Sequence, residues 1–163
     1  MRLHIIPVSN WKTTDQTFDH ATFALGVHET LDSLLSTTND GKDPPIDAII
    51  AVDWTGMAGV RLFLMANKGR LAAQYQIPVF FLNFRVYSRM TDISEDDRAF
   101  YYQAESDAVH LALESGGGVV GICDSDTQFL QSMVVKLDAT SPSSSTTTTT
   151  TLLDRIRTIW PML

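Results

Sequence analysis

The sequence predicts an α/β fold: a three-layer, Rossmann-like domain with a mainly parallel sheet and helices on both faces. Three short apolar runs have the length and composition of buried strands, at residues 46–52, 77–82 and 118–123. Longer segments with apolar residues at helical spacing separate them. Parallel strands need crossover connections of this kind and read as nearly continuous apolar runs. The alternation therefore favours a parallel sheet over an antiparallel one.

The first third of the chain fits this alternation. Residues 2–8 are predicted to form a strand, and a helix is expected to begin near residues 14–15 and to continue to residue 36. Residues 37–45 are rich in Asp, Asn, Gly and Pro and are predicted to form a surface loop. After the strand at 46–52, apolar spacing predicts a helix over residues 57–75, although Gly69 weakens it.

The next helix has the best-defined boundaries, over residues 95–114. Ser94 is the expected N-cap, and Asp97 three residues later completes a capping-box pattern. Three glycines at 116–118 end the helix and lead into the next strand. Its expected buried stripe consists of Phe100, Ala104, Ala108, Leu111 and Ala112.

The C-terminal part differs in composition. Residues 140–151 are almost entirely Ser and Thr and bury too little apolar surface to offset their ordering entropy. We therefore expect a disordered or inserted loop there, after a Rossmann-like domain at 1–139. A terminal segment at 152–163 is expected to pack on this domain or to lead to a missing C-terminal domain. Residues 156–160 form either a short strand or a frayed helix.

The overall composition limits the function classes. The chain has 163 residues, enough for one α/β domain, and a formal net charge of −7. An acidic surface repels phosphate backbones, so we expect no nucleic-acid partner. No apolar run approaches the roughly 20 residues of a membrane span, and a signal peptide is not recognisable. We expect an intracellular protein of the cytoplasm, without metal or cofactor sites.

Polar side chains follow three of the predicted strands at the point where each strand ends. In a parallel sheet these ends lie at one edge, where open α/β sheets bind their ligands. Carboxylate, amide, phenol and guanidinium groups together suit a polyol or an anionic group. The candidate substrate-binding residues are Asp53, Trp54, Asn83, Arg85, Tyr87, Arg89, Asp124, Ser125 and Asp126.

Each cluster also has a purely structural interpretation. Trp54 would close the end of the core while Asp53 caps the following helix. The two arginines of the 83–89 loop would pair with the acidic start of the next helix. The carboxylates at 124 and 126 would serve as a helix cap. Cys123 is expected to be a small core residue at the end of a buried strand.

Several passages together resemble a known family. Residues 46–54 look like a strand that ends in an Asp-Trp element, and residues 77–83 resemble an Ile-Pro-Val-Val strand. Glu105, Ala108 and residues 119–130 resemble a later helix–strand–helix passage, and residues 156–161 resemble an entry into an interdomain linker. In this order they resemble the N-terminal domain of GT-B glycosyltransferases, in particular the retaining, glycogen-synthase-like group 1 (family 4) enzymes.

The resemblance implies the acceptor-binding half of a glycosyltransferase. In that family the nucleotide-sugar donor binds to a C-terminal domain, which would begin where this chain stops. The usual histidine after the second passage is replaced by Asn83-Phe84-Arg85, and no Glu-x7-Glu pair is present. A saccharide acceptor, no catalytic residue and no glycosyl transfer by this chain alone are therefore expected.

Two other functions stay open. A half-enzyme exposes the apolar surface that would meet its missing domain, so the chain could be a non-catalytic interaction domain that self-associates. Residues 160–163 would form part of that surface. A small hydrolase that uses Asp53 or Asp124 is the third interpretation, but no base, metal cage or oxyanion hole is recognisable for it.

Overall fold

A computed structural model describes residues 19–37, 46–68, 77–138 and 152–158. The predicted strand at 2–8 and the predicted helix start at 14–15 lie outside these ranges. So do most of the 37–45 loop, the end of the 57–75 helix, the Ser/Thr tract and residues 160–163.

Helices and strands alternate along the described chain. The helices are α1 (His20–Thr37), α2 (Asp53–Ala66), α3 (Glu95–Glu114) and α4 (Asp124–Asp138). The strands are β1 (Ile49–Val52), β2 (Val79–Asn83), β3 (Gly118–Gly121) and β4 (Ile156–Thr158). A short 3₁₀ turn, Tyr87–Arg89, lies between β2 and α3.

The four strands form one sheet in the order β1-β2-β3-β4, and every neighbouring pair is parallel. Helices flank this sheet, which is consistent with a Rossmann-like three-layer fold, so the predicted fold class is confirmed. The register aligns Val52 with Leu82 and Asn83 with Gly121. Residues 156–158 form a strand, which decides between the two interpretations of that segment.

The chain divides into two compact units. The first contains α1 and the part of α2 from Thr55 onward. Within it the two helices approach closely, because a β-carbon on Gly59 would lie 2.4 Å from Cβ of Val27. Asn67 is buried and donates from its amide to the Asp32 carboxylate at 3.1 Å and to the Phe63 carbonyl at 3.1 Å.

The second unit contains the sheet, α3 and α4. Its core lies on the sheet face that carries Val79, Phe81 and Val119, all fully buried. Because the strands follow one another in chain order, right-handed crossovers place α3 and α4 on the same face. Gly121 belongs to this face, since a β-carbon there would meet the Thr127 hydroxyl of α4 at 2.6 Å.

The alternate residues of β1 and β2 point to the opposite face of the sheet. Ile50, Val52 and Phe80 are 65%, 45% and 39% exposed, respectively. Ile50 pairs with Phe80 in the register, so these two side chains are neighbours on adjacent strands. An apolar strip of this sheet face is therefore open to solvent.

The helix at 95–114 was predicted with its correct boundaries. Ser94 Oγ accepts a hydrogen bond from Asp97 N–H at 3.1 Å and donates to the Asp97 carboxylate at 2.7 Å, which confirms the cap. The expected buried stripe was wrong in part, because Phe100 is 53% exposed. The buried face instead runs through Glu105, Ala108, Val109, Ala112 and Leu113.

Two other expectations need correction. α2 begins at Asp53 rather than near residue 57, because the chain turns from strand to helix within one residue. β3 ends at Gly121, so Cys123 lies beyond the strand and is exposed rather than part of the core. Its sulfur lies 3.5 Å from the Ser125 hydroxyl oxygen.

The turn from α3 into β3 depends on close backbone contacts. Gly116 adopts a φ of 87°, in the left-handed region, as the predicted helix end requires. Gly117 N–H donates to the Ala112 carbonyl at 3.1 Å. Arg155 fastens β4 to this turn by donating to the carbonyls of Leu113, at 2.9 Å, and Gly117.

We predict that Gly117→Ala destabilises the protein. A β-carbon at this position would lie 1.8 Å from the Val79 carbonyl oxygen, and a backbone atom cannot rotate away. The free energy of unfolding should fall by about 2 kcal/mol or more. Urea denaturation measures it, with Gly121→Ala as the comparison, because that β-carbon meets a side-chain hydroxyl instead. An equal or smaller loss at position 117 would contradict the backbone clash.

Candidate functional site

The carboxyl ends of the four strands lie along one edge of the sheet, because all of them run in the same direction. Asp53 follows β1, Asn83 ends β2, Asp124 opens α4 just after β3, and Thr158 ends β4. The Thr158 hydroxyl donates to the Asp124 carboxylate at 2.9 Å and lies 2.9 Å from the Thr127 hydroxyl. The three predicted clusters therefore lie along this edge, which we call the carboxyl edge.

Asp53 forms the junction between β1 and α2. Its φ of 55° is the only positive value of a non-glycine residue within the described ranges, and aspartate tolerates this conformation better than most residues. Its carboxylate accepts a hydrogen bond from Phe84 N–H at 3.0 Å, so it fastens the following loop. Burial raises the pKa of the Asp53 carboxyl, although this hydrogen bond and the charge of Arg85 act in the opposite direction.

Trp54 is 5% exposed and packs among aromatic rings. Its ring meets that of Phe100 edge-on with centroids 5.4 Å apart, and lies 5.8 Å from that of Tyr101. The ring of Tyr87 in turn packs against that of Tyr101, with centroids 5.4 Å apart. This position agrees with the structural interpretation of Trp54, in which the indole closes the end of the core.

Asn83 is fully buried at the end of β2. Neither its amide nitrogen nor its carbonyl oxygen finds a hydrogen-bond partner among the described residues. Because an unpaired buried amide costs free energy, such groups are generally satisfied by water or by a ligand. Its side chain belongs to the same sheet face as Val79 and Phe81, beneath the loop that follows.

The two arginines of this loop have different surroundings. Arg89 donates to the Ser125 carbonyl, the Ser125 hydroxyl and the Asp126 carboxylate, at 3.1, 3.2 and 3.1 Å. Its guanidinium also lies 5.6 Å from the ring centre of Phe129. Arg85 is exposed and forms no ion pair with any residue of the described ranges. The two clusters at 83–89 and 124–126 are thus joined through Arg89, and Arg85 remains open.

The predicted alternative for these arginines placed their partners at the start of α3. The structure puts the partner of Arg89 at the start of α4 instead. At the acidic start of α3, Glu95 forms an ion pair with Arg98, whose Nε lies 3.6 Å from the Glu95 carboxylate. Glu95 and Arg98 are on the same helix, and Arg98 also donates to the Ser88 carbonyl of the loop at 3.1 Å.

Two residues of this edge were not among the sequence candidates. Phe84 is 52% exposed, directly before Arg85, and offers an aromatic surface at this edge that the buried ring of Trp54 does not. Glu105 is fully buried on α3 and accepts hydrogen bonds from the loop backbone at Tyr87 and Ser88. The sequence did contain one signal for Glu105: it lies at helical spacing from Ala108 and Ala112, two residues of the predicted buried stripe.

Among the described residues, no three His, Cys, Asp or Glu side chains are grouped closely enough to hold a metal ion. None of the helices in the described ranges has both the length and the apolar character that crossing a membrane requires.

Comparisons of the chain with models of protein families, with curated proteins and with solved structures find no match.

We predict that the stability difference between the wild type and Asp53→Asn depends on pH. Asparagine tolerates the same backbone conformation but does not titrate. A carboxyl with a raised pKa stabilises the folded state most below its unfolded pKa, and this contribution is lost as pH rises through the folded pKa. The wild type should therefore lose stability relative to the variant as pH rises from the ordinary pKa of an aspartate, about 4, through the raised pKa of Asp53.

Urea denaturation of both proteins across this range measures the difference. A gap that stays constant, or that moves in favour of the wild type as pH rises, would contradict a raised pKa at Asp53.

Proposed function

We propose that this chain is the acceptor-binding half of a GT-B glycosyltransferase and binds a saccharide at the carboxyl edge. The observation that carries the proposal is the parallel direction of β1, β2 and β3, which brings the polar residues that follow them to one edge. Open α/β sheets bind their ligands at this edge. The reaction class comes from the resemblance of residues 47–161 to the group 1 (family 4) enzymes.

The chemistry of the open groups supports a saccharide. Carboxylates accept hydrogen bonds from sugar hydroxyl groups, amides both accept and donate them, and an aromatic ring packs against the apolar face of a sugar. Asp53 supplies a half-buried carboxylate, Arg85 an open guanidinium and Phe84 an exposed ring. These three residues follow β1 and β2 and are connected through the hydrogen bond between Phe84 N–H and the Asp53 carboxylate.

The charges support a half-site rather than a complete enzyme. A nucleotide-sugar donor brings a diphosphate whose charge has to be neutralised in the transition state. Arg89 is already neutralised by Asp126, and Asp124 and Asp53 add negative charge to the same edge. Arg85 alone is a weak diphosphate site, so a second domain would supply the donor site and the rest of the cleft.

We predict that the chain binds a simple saccharide and that Arg85→Ala weakens this binding. A hydrogen bond to a charged group contributes about 1.5 kcal/mol or more, so affinity should fall about tenfold. Methyl α-glucoside, N-acetylglucosamine and glucuronate serve as probes, and amide chemical shifts of residues 83–89 report binding. Arg157→Ala is the matched control, because Arg157 is an exposed arginine on β4.

Two results would count against the proposal. One is that no probe shifts the 83–89 amides, and the other is that Arg157→Ala weakens binding as much as Arg85→Ala does. Substantial glycosyl transfer or donor hydrolysis by this chain alone would refute the half-site.

A non-catalytic, self-associating domain is the second candidate, and a separate observation favours it. Ile50, Val52 and Phe80 form an apolar strip on the sheet face opposite α3 and α4. Exposed apolar surface of this kind tends to associate. A second copy of the chain would cover the strip with the same side chains, as in a two-fold symmetric dimer.

We predict for this candidate that the molar mass rises with protein concentration and that Ile50→Glu abolishes the rise. A carboxylate in the middle of an apolar interface would be buried without a partner, which is strongly unfavourable. Size-exclusion chromatography with light scattering measures the mass. Leu25→Glu is the control, since Leu25 is also an aliphatic residue with an exposed side chain (51% exposed) but lies on α1. A monomer at every concentration would eliminate this candidate.

A further inference from the structure

Glu105 is a fully buried carboxylate that no arginine or lysine of the described residues pairs with. It accepts three hydrogen bonds, all from two consecutive residues of the loop after β2. Tyr87 N–H donates to Oε1 at 2.5 Å, and the Ser88 hydroxyl and N–H donate to Oε2 at 2.6 and 3.4 Å. A buried charge is costly unless it is hydrogen-bonded, so this glutamate is tied closely to the conformation of the loop.

The same loop is held at its other end by Asp53, which accepts from Phe84 N–H at 3.0 Å. Between the two carboxylates, Val86 is buried and anchors the chain by its side chain. Arg98 adds a hydrogen bond from its guanidinium to the Ser88 carbonyl at 3.1 Å. Residues 84–88 are therefore fixed at both ends.

Arg85 lies between these two anchors and is exposed. Its backbone conformation is limited by the hydrogen bonds at Phe84 and at Tyr87. A guanidinium presented from a fixed backbone loses less conformational entropy on binding than one on a mobile loop. The position of Arg85 thus depends on a glutamate that itself lies on a different element and is inaccessible to solvent.

We infer that Glu105 is a positioning residue of the saccharide site: it holds residues 84–88 in the conformation that presents Arg85 and Phe84 to the ligand. This inference rests on the proposed function. Glu105 does not touch the saccharide, and its effect passes through the backbone of Tyr87 and Ser88.

The hydrogen-bond donors around Glu105 determine which side chains can replace it. Burial raises the pKa of the Glu105 carboxyl, and the hydrogen bonds from Ser88 and Tyr87 oppose this shift. Glutamine can keep its oxygen on Tyr87 N–H and donate from its amide to the Ser88 hydroxyl, which can rotate to accept. Only the long hydrogen bond from Ser88 N–H, at 3.4 Å, is lost. Leucine has a similar volume but accepts nothing, so both loop residues would lose their partner.

The test compares Glu105→Gln and Glu105→Leu with Val134→Ala. Val134 is a buried residue of α4, and its variant controls for a loss of stability without a change in the loop. The first readout is hydrogen exchange of the Tyr87 amide in the full chain. We expect exchange at least about tenfold faster in Glu105→Leu, near the wild-type rate in Glu105→Gln, and near the wild-type rate in Val134→Ala.

The second readout is the affinity for the probe saccharide that the wild type binds best. Glu105→Leu should weaken binding about tenfold at a temperature where it remains folded, and Glu105→Gln should restore it to within a factor of about two. Equal affinity of Glu105→Leu and the wild type, or an equal loss in Val134→Ala, would overturn the inference.

The two readouts separate the inference from the proposed function. If the wild type binds none of the three probes, the proposed function fails, and the exchange of the Tyr87 amide still decides whether Glu105 holds the loop. Unchanged exchange in Glu105→Leu overturns the positioning role whatever the binding result. Should that variant fail to fold, Ser88→Ala, which removes only the hydroxyl donor, takes its place in both measurements, with a smaller change expected in the same direction.

Discussion

Four strands that run in the same direction determine where the polar clusters at 53–54, 83–89 and 124–126 are placed. Their carboxyl ends reach one edge of the sheet, and the register brings Asn83, Gly121 and Thr158 level with one another. The absence of a side chain at Gly121 lets the start of α4 approach, so that Thr127 reaches Thr158. With one strand reversed, the clusters at 53–54, 83–89 and 124–126 would lie at opposite edges.

Most charges at this edge are used to hold the edge together. Asp53 and Glu105 hold the backbone of the loop after β2, Arg89 joins that loop to Asp126, and Asp124 accepts from Thr158. Side-chain hydrogen bonds of this kind rigidify a loop that would otherwise be among the more mobile parts of a domain. The consequence for recognition is that few groups remain open, and a ligand would meet a preformed surface.

Local sequence patterns predicted the elements better than they predicted the side-chain contacts. The boundaries of α3 followed from a cap between residues three apart, Ser94 and Asp97. The parallel sheet followed from the alternation of apolar strands and helices. The buried face of α3 was misplaced, because helical spacing shows that a stripe exists but cannot distinguish one shifted by a residue or two when Phe100 and Ala104 also fit.

The sequence predicted that the three polar clusters lie at one edge of the sheet, but it did not predict the contacts between them. Glu105 meets its partners across 17 and 18 residues of sequence, and Arg89 meets Asp126 across 37. No periodicity or spacing encodes such contacts, since they depend on how α3 and α4 pack against the sheet. For the same reason, the sequence could not show that Trp54 is enclosed by Phe100 and Tyr101 while Phe84 is exposed.

The two candidate functions use different surfaces of one sheet. In a β-strand, neighbouring side chains point to opposite faces, so Ile50 and Phe80 belong to the open face while Phe81 and Asn83 belong to the covered one. The carboxyl edge lies beyond the ends of the strands and is formed by the residues that follow them. Association through Ile50 and Phe80 would therefore leave Arg85 and its two carboxylate anchors in place, and saccharide binding does not require the open face to be covered. The two functions are physically compatible in one chain, because the parallel sheet separates the face from the edge.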